Sequence, residues 1–204
     1  MGYSGILSSE SAGASRIIRD ITELQDLVAA VRRLGQRIVL TSGSWDLLHT
    51  GHAEYLRAAK GHGDFLVVGV DSDEKIKRRK GPHRPIVAED ERAVMLSHLR
   101  YVDLVFIKQD GEVQWSLIRA VAPDVLVVSE TSDHSAENLS GMRKLCGELV
   151  ILEAKSQRGT TARLREMLLG GMSDFAQALS AALPKILEES LERVGQKKGA
   201  SDGS

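Results

Sequence analysis

The stretch TSGSWDLLHTGH, residues 41–52, places two histidines three positions apart on either side of a glycine. An apolar run precedes it and a helical pattern follows, so His49 and His52 are predicted to lie where a helix begins. Free amides and partial positive charge at a helix N-terminus favour phosphate, and imidazoles can donate hydrogen bonds to its oxygens. Asp46 continues the spacing of three, so a metal site or a structural role are alternative interpretations.

Small residues around the histidines fit a ligand-binding loop. Gly43 permits a tight turn, Gly51 lets a ligand approach the backbone, and Thr50 is predicted to cap the helix. No other cluster of His or Cys in the sequence supplies a clear further metal ligand. Phosphate binding and a structural role therefore remain the main alternatives for this loop.

A second feature is a strongly basic segment, KIKRRKGPHR, at residues 75–84. Within these ten residues there are six cations: Lys75, Lys77, Arg78, Arg79, Lys80 and Arg84. The whole of 75–90 is predicted to be a long polar connection. It is interpreted either as a solvated basic loop or as the contact surface for an anionic ligand.

Two adjacent threonines, Thr160 and Thr161, open a predicted helix at 160–170. Their hydroxyls and the amides of the helix N-terminus suit phosphate oxygens. An ordinary helix cap explains one threonine but not obviously both.

Buried strands alternating with amphipathic helices surround these features. Strands are predicted at 37–43, 64–70, 102–107, 123–128 and 148–152, with helices at 21–34, 51–61, 89–99, 112–122, 135–147 and 160–170. This alternation predicts an α/β fold: a doubly wound, Rossmann-like parallel sheet of about five strands with helices on both faces. Such sheets bind ligands at the carboxyl ends of their strands, close to the switch in strand order.

The composition also predicts how the chain is divided. Residues 1–15 are expected to be disordered, 16–170 to form the α/β domain, 171–195 a C-terminal helical extension, and 196–204 a disordered tail. The apolar stripe of the extension favours packing against the domain or a second subunit.

Overall charge and cysteine content exclude several classes of protein. The net charge is -1, with 27 basic and 28 acidic residues, so no global polybasic signal indicates nucleic acid or an anionic membrane as a partner. One cysteine excludes an intramolecular disulfide and a Cys-rich zinc site. No transmembrane run or signal-peptide pattern is present, so a cytoplasmic location is predicted.

GSWDLLHTGH resembles the H-x-G-H signature of the nucleotidylyltransferase superfamily, with Trp45 where Phe is usual. The run VGVDSDEKIKRRKGPHRPIVAEDERAVMLSHLRYVDLVF is similar to the middle of that family, and PDVLVV and GELVILEAKSQRGTTARL to its later parts. The resemblance covers roughly residues 20–169. The subgroup most similar is the heptose 1-phosphate adenylyltransferase domain, and glycerol-3-phosphate cytidylyltransferases are also similar.

The resemblance implies transfer of a nucleoside monophosphate, with AMP favoured, from ATP or CTP to a phosphorylated sugar or alcohol. It also implies a homodimer, and Mg²⁺ held mainly by triphosphate oxygens without a certain protein ligand. The residues implied in catalysis are His49, His52 and Lys80. Those implied in nucleotide binding are Ser42, Gly43, Ser44, Trp45, His49, Gly51, His52, Arg92, Thr160 and Thr161. Those implied in acceptor binding are Asp46, Lys77, Lys80 and Arg84.

Two departures from the family pattern bear on specificity. Gly159 stands where Ser is usual, and VSETSD, residues 128–133, replaces K-G-G-D and an aromatic, so Val128 replaces a lysine. A heptose 1-phosphate-like acceptor with ATP is the favoured interpretation. The alternatives are CTP with a glycerol-phosphate-like acceptor, and a non-catalytic nucleotide-binding protein. A dinucleotide-dependent oxidoreductase is disfavoured because the first loop lacks G-x-G-x-x-G.

Overall fold

The computed structural model describes residues 16–111, 113–130 and 134–153, together with positions 172, 177 and 180. The chain divides into two compact units, Met1–Gln157 and Arg158–Ser204, and every element named below belongs to the first. The sequence pattern had suggested a boundary at residues 170–171. Both boundaries lie outside the described residues, so the predicted domain extents remain predictions.

The described part of the chain forms a parallel sheet with helices between its strands. The strands are β1 Ile17–Ile18, β2 Ile38–Gly43, β3 Phe65–Val70, β4 Leu104–Ile107, β5 Val125–Ser129 and β6 Glu148–Leu152. The helices are α1 Ile21–Arg33, α2 Thr50–Lys60, α3 Asp73–Lys80, α4 Glu89–Ser97, α5 Ser116–Val121 and α6 Ala136–Arg143. All pairings are parallel, in the order β1-β4-β3-β2-β5-β6, which confirms the predicted fold class.

Side chains of the central strands alternate between two hydrophobic cores, as strands covered on both faces require. One core combines alternate residues of β2 and β3 with helices α1 and α5: Ile38, Leu40, Phe65, Val67, Leu24, Val28 and Leu117. The other combines the intervening residues with α2 and α4: Val39, Leu66, Val68, Leu56, Ala59 and Leu96. Helices therefore cover both faces of the sheet.

The structure corrects the sequence predictions in two places. The described residues form one strand more than expected, because the two-residue edge strand β1 is too short to leave a periodic signal. The polar connection at 75–90 is also not a loop throughout, since 73–80 form α3. The Ser72 hydroxyl caps this helix by accepting from the Lys75 amide, acids occupy its first turn and bases its last, and Ile76 alone is buried.

Strand order changes direction at β2, which pairs with β3 on one side and β5 on the other. The loop that follows β2 therefore starts at the switch point, where open α/β sheets bind their ligands. Among the described residues, none of the helices is long and apolar enough to cross a membrane.

Candidate functional site

The loop between β2 and α2, residues 44–49 and here called the first loop, has a constrained backbone. Trp45 and Leu47 both have positive φ, 54° and 49°, although neither is glycine. Trp45 is buried, and its indole N–H donates to the Gly69 carbonyl of β3 at 2.9 Å. Such conformations persist where the surroundings determine them, and here the indole anchors the loop to the neighbouring strand.

The two histidines are stacked at the N-terminus of α2. Their ring centroids are 4.0 Å apart with an interplanar angle of 26°, and the edge of His52 also contacts Trp45. His49, not the predicted Thr50, is the N-cap, because its Nδ1 accepts from the Gly51 amide at 3.1 Å. His52 Nδ1 in turn accepts from the His49 amide at 3.4 Å.

These hydrogen bonds determine where each ring carries its proton. An Nδ1 that accepts from an amide cannot hold a proton itself, so His49 and His52 both carry it on Nε2. Burial, His49 and Lys80 together lower the pKa of His52 to about 4, against an opposing effect of Asp46. Near neutral pH His52 is therefore uncharged, and both rings present Nε2–H donors.

Asp46 holds the segment after the basic helix against the first loop. Its buried carboxylate accepts from Arg84 Nη1 at 2.7 Å and from the amides of Ile86 and Val87, each at 3.1 Å. Arg84 is itself largely buried, with a side chain 16% exposed. The structure thus pairs two residues predicted to bind the acceptor, and their contact with an acceptor remains a prediction.

Arg92 is a buried support of the same region, with its side chain 1% exposed. It donates to the Val87 and Asp71 carbonyls, each at 2.9 Å, to Asp73 Oδ1 at 2.6 Å, and to the Ser44 carbonyl. These bonds join the first loop, the end of β3, the start of α3 and the segment before α4. The triphosphate contact predicted for Arg92 remains a prediction, while its observed contacts are those of a supporting residue.

The cations of α3 separate onto different faces of the helix. Lys77 pairs with Glu74 at 2.6 Å and Arg78 with Asp110, both exposed. Lys75 lies instead 3.0 Å from Asp71, and Arg79 donates to the Ser44 hydroxyl at 2.7 Å.

Lys80 is the α3 cation that the structure brings toward the histidines. Partial burial, Arg79 and Arg84 lower the pKa of its ammonium, with opposing effects of Asp46 and Asp71. Its charge also contributes to the low pKa of His52. The charge of Lys80 is thus felt at the first loop, whereas the contact observed for Lys77 is its pair with Glu74.

Sequence reasoning missed two residues of the site, Asp71 and Lys108. Each directly follows a strand, and their carboxylate and ammonium form an ion pair, with side chains 3% and 11% exposed. Lys108 also donates to the Ser42 hydroxyl at 3.0 Å. A signal was present, because both are the first polar residues after buried strands that prove to be neighbours in the sheet.

The other predicted nucleotide-binding residues lie on or next to the first loop, except for the threonine pair. Ser42 and Gly43 end β2, and a Cβ at Gly43 would lie 3.2 Å from the Trp45 ring, a tight contact that favours glycine. Thr160 and Thr161 lie outside the described residues. Val128, at the position of the family lysine, is partly buried against a hydrophobic core.

Comparison with known proteins agrees with this geometry. The profile of the cytidylyltransferase-like family matches residues 40–166, more than half of the chain. A protein named bifunctional protein HldE from Wolinella succinogenes is 37% identical over 160 residues, covering 78% of this chain and 33% of the relative. The protein of the same name from Helicobacter pylori strain J99 is 40% identical over 148 residues, covering 72% and 31%. The chain thus spans about a third of the length of these relatives.

Solved structures agree as well. The lipopolysaccharide core biosynthesis protein from Thermoplasma volcanium aligns with a TM-score of 0.54 and 30% identity, over 60% of this chain and 100% of that one. Pantoate-β-alanine ligase from Francisella tularensis, solved with an ATP analogue and β-alanine, aligns with a TM-score of 0.52 over 71% of this chain and 68% of that one. At 13% identity the latter shows the shared fold alone. The chain belongs to the cytidylyltransferase-like family.

Proposed function

We propose that the protein transfers AMP from ATP to the phosphate of a heptose 1-phosphate-like sugar and releases pyrophosphate. The observation that carries this proposal is the stacked pair His49 and His52, both with Nε2–H donors, at the N-terminus of α2. Nε2–H donors at the positive end of a helix dipole suit the oxygens of a triphosphate. The similarity to proteins named HldE and the sequence resemblance to heptose 1-phosphate adenylyltransferase domains support the choice of ATP and acceptor.

The reaction needs positioning and charge stabilisation more than acid–base chemistry. An acceptor phosphate oxygen forms a bond to the α-phosphorus, the bond from that phosphorus to the α–β bridging oxygen breaks, and pyrophosphate leaves with the electron pair. The nucleophile is already anionic, so no proton has to be removed. In this scheme His49 and His52 donate to oxygens of the reacting phosphates, and Lys80 offsets the negative charge that gathers there.

In this scheme Mg²⁺ would be bound by the nucleotide and not by a protein metal site. Among the described residues, no group of three or more His, Cys, Asp or Glu could hold a metal ion. The buried carboxylates at the site, Asp46 and Asp71, already accept from cations or amides. We therefore propose that Mg²⁺ enters on triphosphate oxygens, where it would supply charge neutralisation.

Pyrophosphate release in the presence of Mg²⁺ tests the proposal directly. ATP and CTP are each combined with heptose 1-phosphate and with glycerol 3-phosphate. We expect release with ATP and heptose 1-phosphate, and a fall in kcat of about 100-fold or more in His52→Ala, as for loss of an oxyanion donor. His62→Ala, which changes a histidine just beyond the other end of α2, serves as the matched control and is expected to retain activity.

Three outcomes would revise the proposal. Release with CTP and glycerol 3-phosphate alone would favour the cytidylyltransferase alternative. Nucleotide binding without pyrophosphate from any acceptor would favour a non-catalytic nucleotide-binding protein. An unchanged rate in His52→Ala would remove His52 from the catalytic residues.

We also propose that the protein is a homodimer, as the family resemblance and the apolar pattern of residues 171–195 imply, and that it is cytoplasmic, as the sequence pattern predicts. Sedimentation equilibrium of the full chain is expected to give the mass of two chains. A single-chain mass at all concentrations would contradict the dimer.

A further inference from the structure

A buried carboxylate at the end of β3 gathers three cations from two different parts of the chain. Lys75 and Arg79 approach Asp71 from α3 at 3.0 and 3.4 Å, and Lys108 approaches it from the end of β4. These four residues are here called the Asp71 cluster. With three positive groups around one negative group, the cluster carries an excess of positive charge that a single carboxylate does not neutralise.

Burial within the Asp71 cluster is graded. The side chains of Asp71 and Lys108 are 3% and 11% exposed, whereas those of Lys75 and Arg79 are 44% and 52% exposed. Lys108 and Lys75 hold the pKa of Asp71 well below its usual range despite burial, so the carboxylate stays ionised. The cluster therefore has an inner ion pair as its base and two accessible cations at its rim.

The Asp71 cluster is joined directly to the first loop. Arg79 donates to the Ser44 hydroxyl at 2.7 Å, and Lys108 donates to the Ser42 hydroxyl at 3.0 Å. The cluster lies at the ends of β3 and β4, on one side of β2, whereas the crevice of the switch point lies between β2 and β5. Two anion-binding regions thus flank the end of β2.

We propose that the Asp71 cluster binds the phosphate of the acceptor, with Lys75 and Arg79 contacting its oxygens and Asp71 and Lys108 positioning them. This inference rests on the proposed function, because a reaction between two phosphorylated substrates needs two anion sites side by side. The histidines and the start of α2 serve the nucleotide, and the cluster serves the second anion. The guanidinium of Arg79 can orient a phosphate through paired hydrogen bonds, and the ammonium of Lys75 adds a positive charge that neutralises it.

The inference moves the acceptor site to the other face of α3. The sequence resemblance pointed to Lys77 as an acceptor contact, but Lys77 pairs with Glu74, away from Asp71 and Ser44. The helical spacing of four residues places Lys75 and Arg79 together instead. The two cations at this spacing, and not the whole basic run, are the proposed ligands.

Kinetics with both substrates varied tests this assignment. In Arg79→Met and Lys75→Met, KM for heptose 1-phosphate is expected to rise about tenfold or more, the loss of a charge-assisted hydrogen bond, while KM for ATP stays within about twofold. Arg78→Met is the matched control, since it removes the same charge from a residue of α3 that pairs with Asp110 and not with Asp71. A rise in KM for ATP in place of the acceptor would assign the cluster to the nucleotide and overturn the proposal.

Binding of inorganic phosphate without nucleotide separates this inference from the proposed function. Backbone amide shifts of residues 42–44 and 72–80 are followed by NMR as phosphate is added, and Arg79→Met is expected to weaken binding about tenfold. This readout stands even if no acceptor yields pyrophosphate. Equal phosphate affinity in the wild type, Arg79→Met and Lys75→Met would overturn the inference.

Asp71→Asn tests the positioning role by the sign of its effect. A site that acts through net charge alone would bind phosphate no more weakly after a negative charge is removed. Positioning by Asp71 predicts weaker binding in spite of that removal. If Asp71→Asn fails to fold, the exposed variants at Lys75 and Arg79 still decide the proposal.

Discussion

The first loop and the Asp71 cluster lie side by side at the carboxyl edge of the sheet, yet these two proposed anion sites differ in chemistry. The loop uses imidazole N–H donors whose tautomers are determined by backbone amides of its own segment. The cluster uses full charges arranged around a buried carboxylate, contributed by residues that are far apart in the chain. The first loop is thus a contiguous segment that offers hydrogen-bond donors, and the Asp71 cluster is a set of charged residues that the fold brings together.

Because of this difference, the two regions are expected to lose their structure and anion affinity through different substitutions. The first loop depends on its backbone conformation, which hydrogen bonds of the Trp45, Asp46 and Arg92 side chains maintain. The ionic cluster depends on the mutual distances of its charges and on one carboxylate. Three variants test these requirements separately. The first affects both regions, the second affects only the first loop, and the third affects only the ring of His52.

The largest effect is expected from Arg92→Met, because Arg92 supports both regions through the Ser44 and Asp71 carbonyls. Removing one partner of a buried ion pair typically costs about 3 to 5 kcal/mol. We expect a loss of that order in the free energy of unfolding in urea, together with loss of both phosphate and nucleotide affinity. Arg57→Met, which removes an exposed arginine paired with Glu54, is the control and should leave the urea midpoint unchanged. Stability equal to wild type in Arg92→Met would contradict a supporting role.

A smaller and more local effect is expected from Asp46→Asn. The carboxylate holds Arg84 and two amides against the first loop, so its neutralisation should cost about 1 to 3 kcal/mol of stability and lower kcat. Phosphate affinity of the Asp71 cluster should persist, because the cluster is held by the ion pairs of Asp71 with Lys75, Arg79 and Lys108. Asp110→Asn, at an exposed pair with Arg78, is the matched control. Equal losses in both regions would show that the two are not separable.

The most local effect is a pH dependence carried by the single ring of His52. Its pKa is about 4 in the folded protein against an ordinary 6.5, so between these values the unfolded chain binds a proton that the folded protein does not. Stability should therefore fall as pH falls through this window, and less steeply in His52→Gln. Urea unfolding between pH 7 and pH 4.5, with NMR titration of the ring, measures both. A ring that titrates near 6.5 would contradict the neutral-donor description.

Most of the sheet and the position of the first loop were predictable from the sequence. The runs around Ile38 and Phe65 are apolar on both faces, which is typical of buried parallel strands, and the predicted strands there match β2 and β3. Helix α1 begins and ends close to its predicted bounds, with Asp20 accepting from its first amides and Gly35 at a φ of 76° just beyond its end. Local signals of this kind are strong because they depend on neighbours in the chain.

The supporting contacts of the site were not predictable in the same way. Arg92 was assigned to the triphosphate from its place in a motif, but its burial depends on carbonyls contributed by three other segments. Helix α3 was taken for a loop because only Ile76 marks its buried face. The number of cations in a segment can be counted from its sequence, but the partners they contact can be seen only in the structure.

By itself, the sequence determined the parallel α/β architecture and placed a pair of histidines at a strand–helix junction, because periodicity and a contiguous motif are properties of neighbouring residues. Only the tertiary structure decided which cations of the basic segment face the site. Which cations face the site depends on the rotation of α3 about its axis. It also depends on the pairing of β3 with β4, which brings Asp71 and Lys108 together. Electrostatic interactions act over a few ångströms in space, so their pattern exists only once the strands are paired.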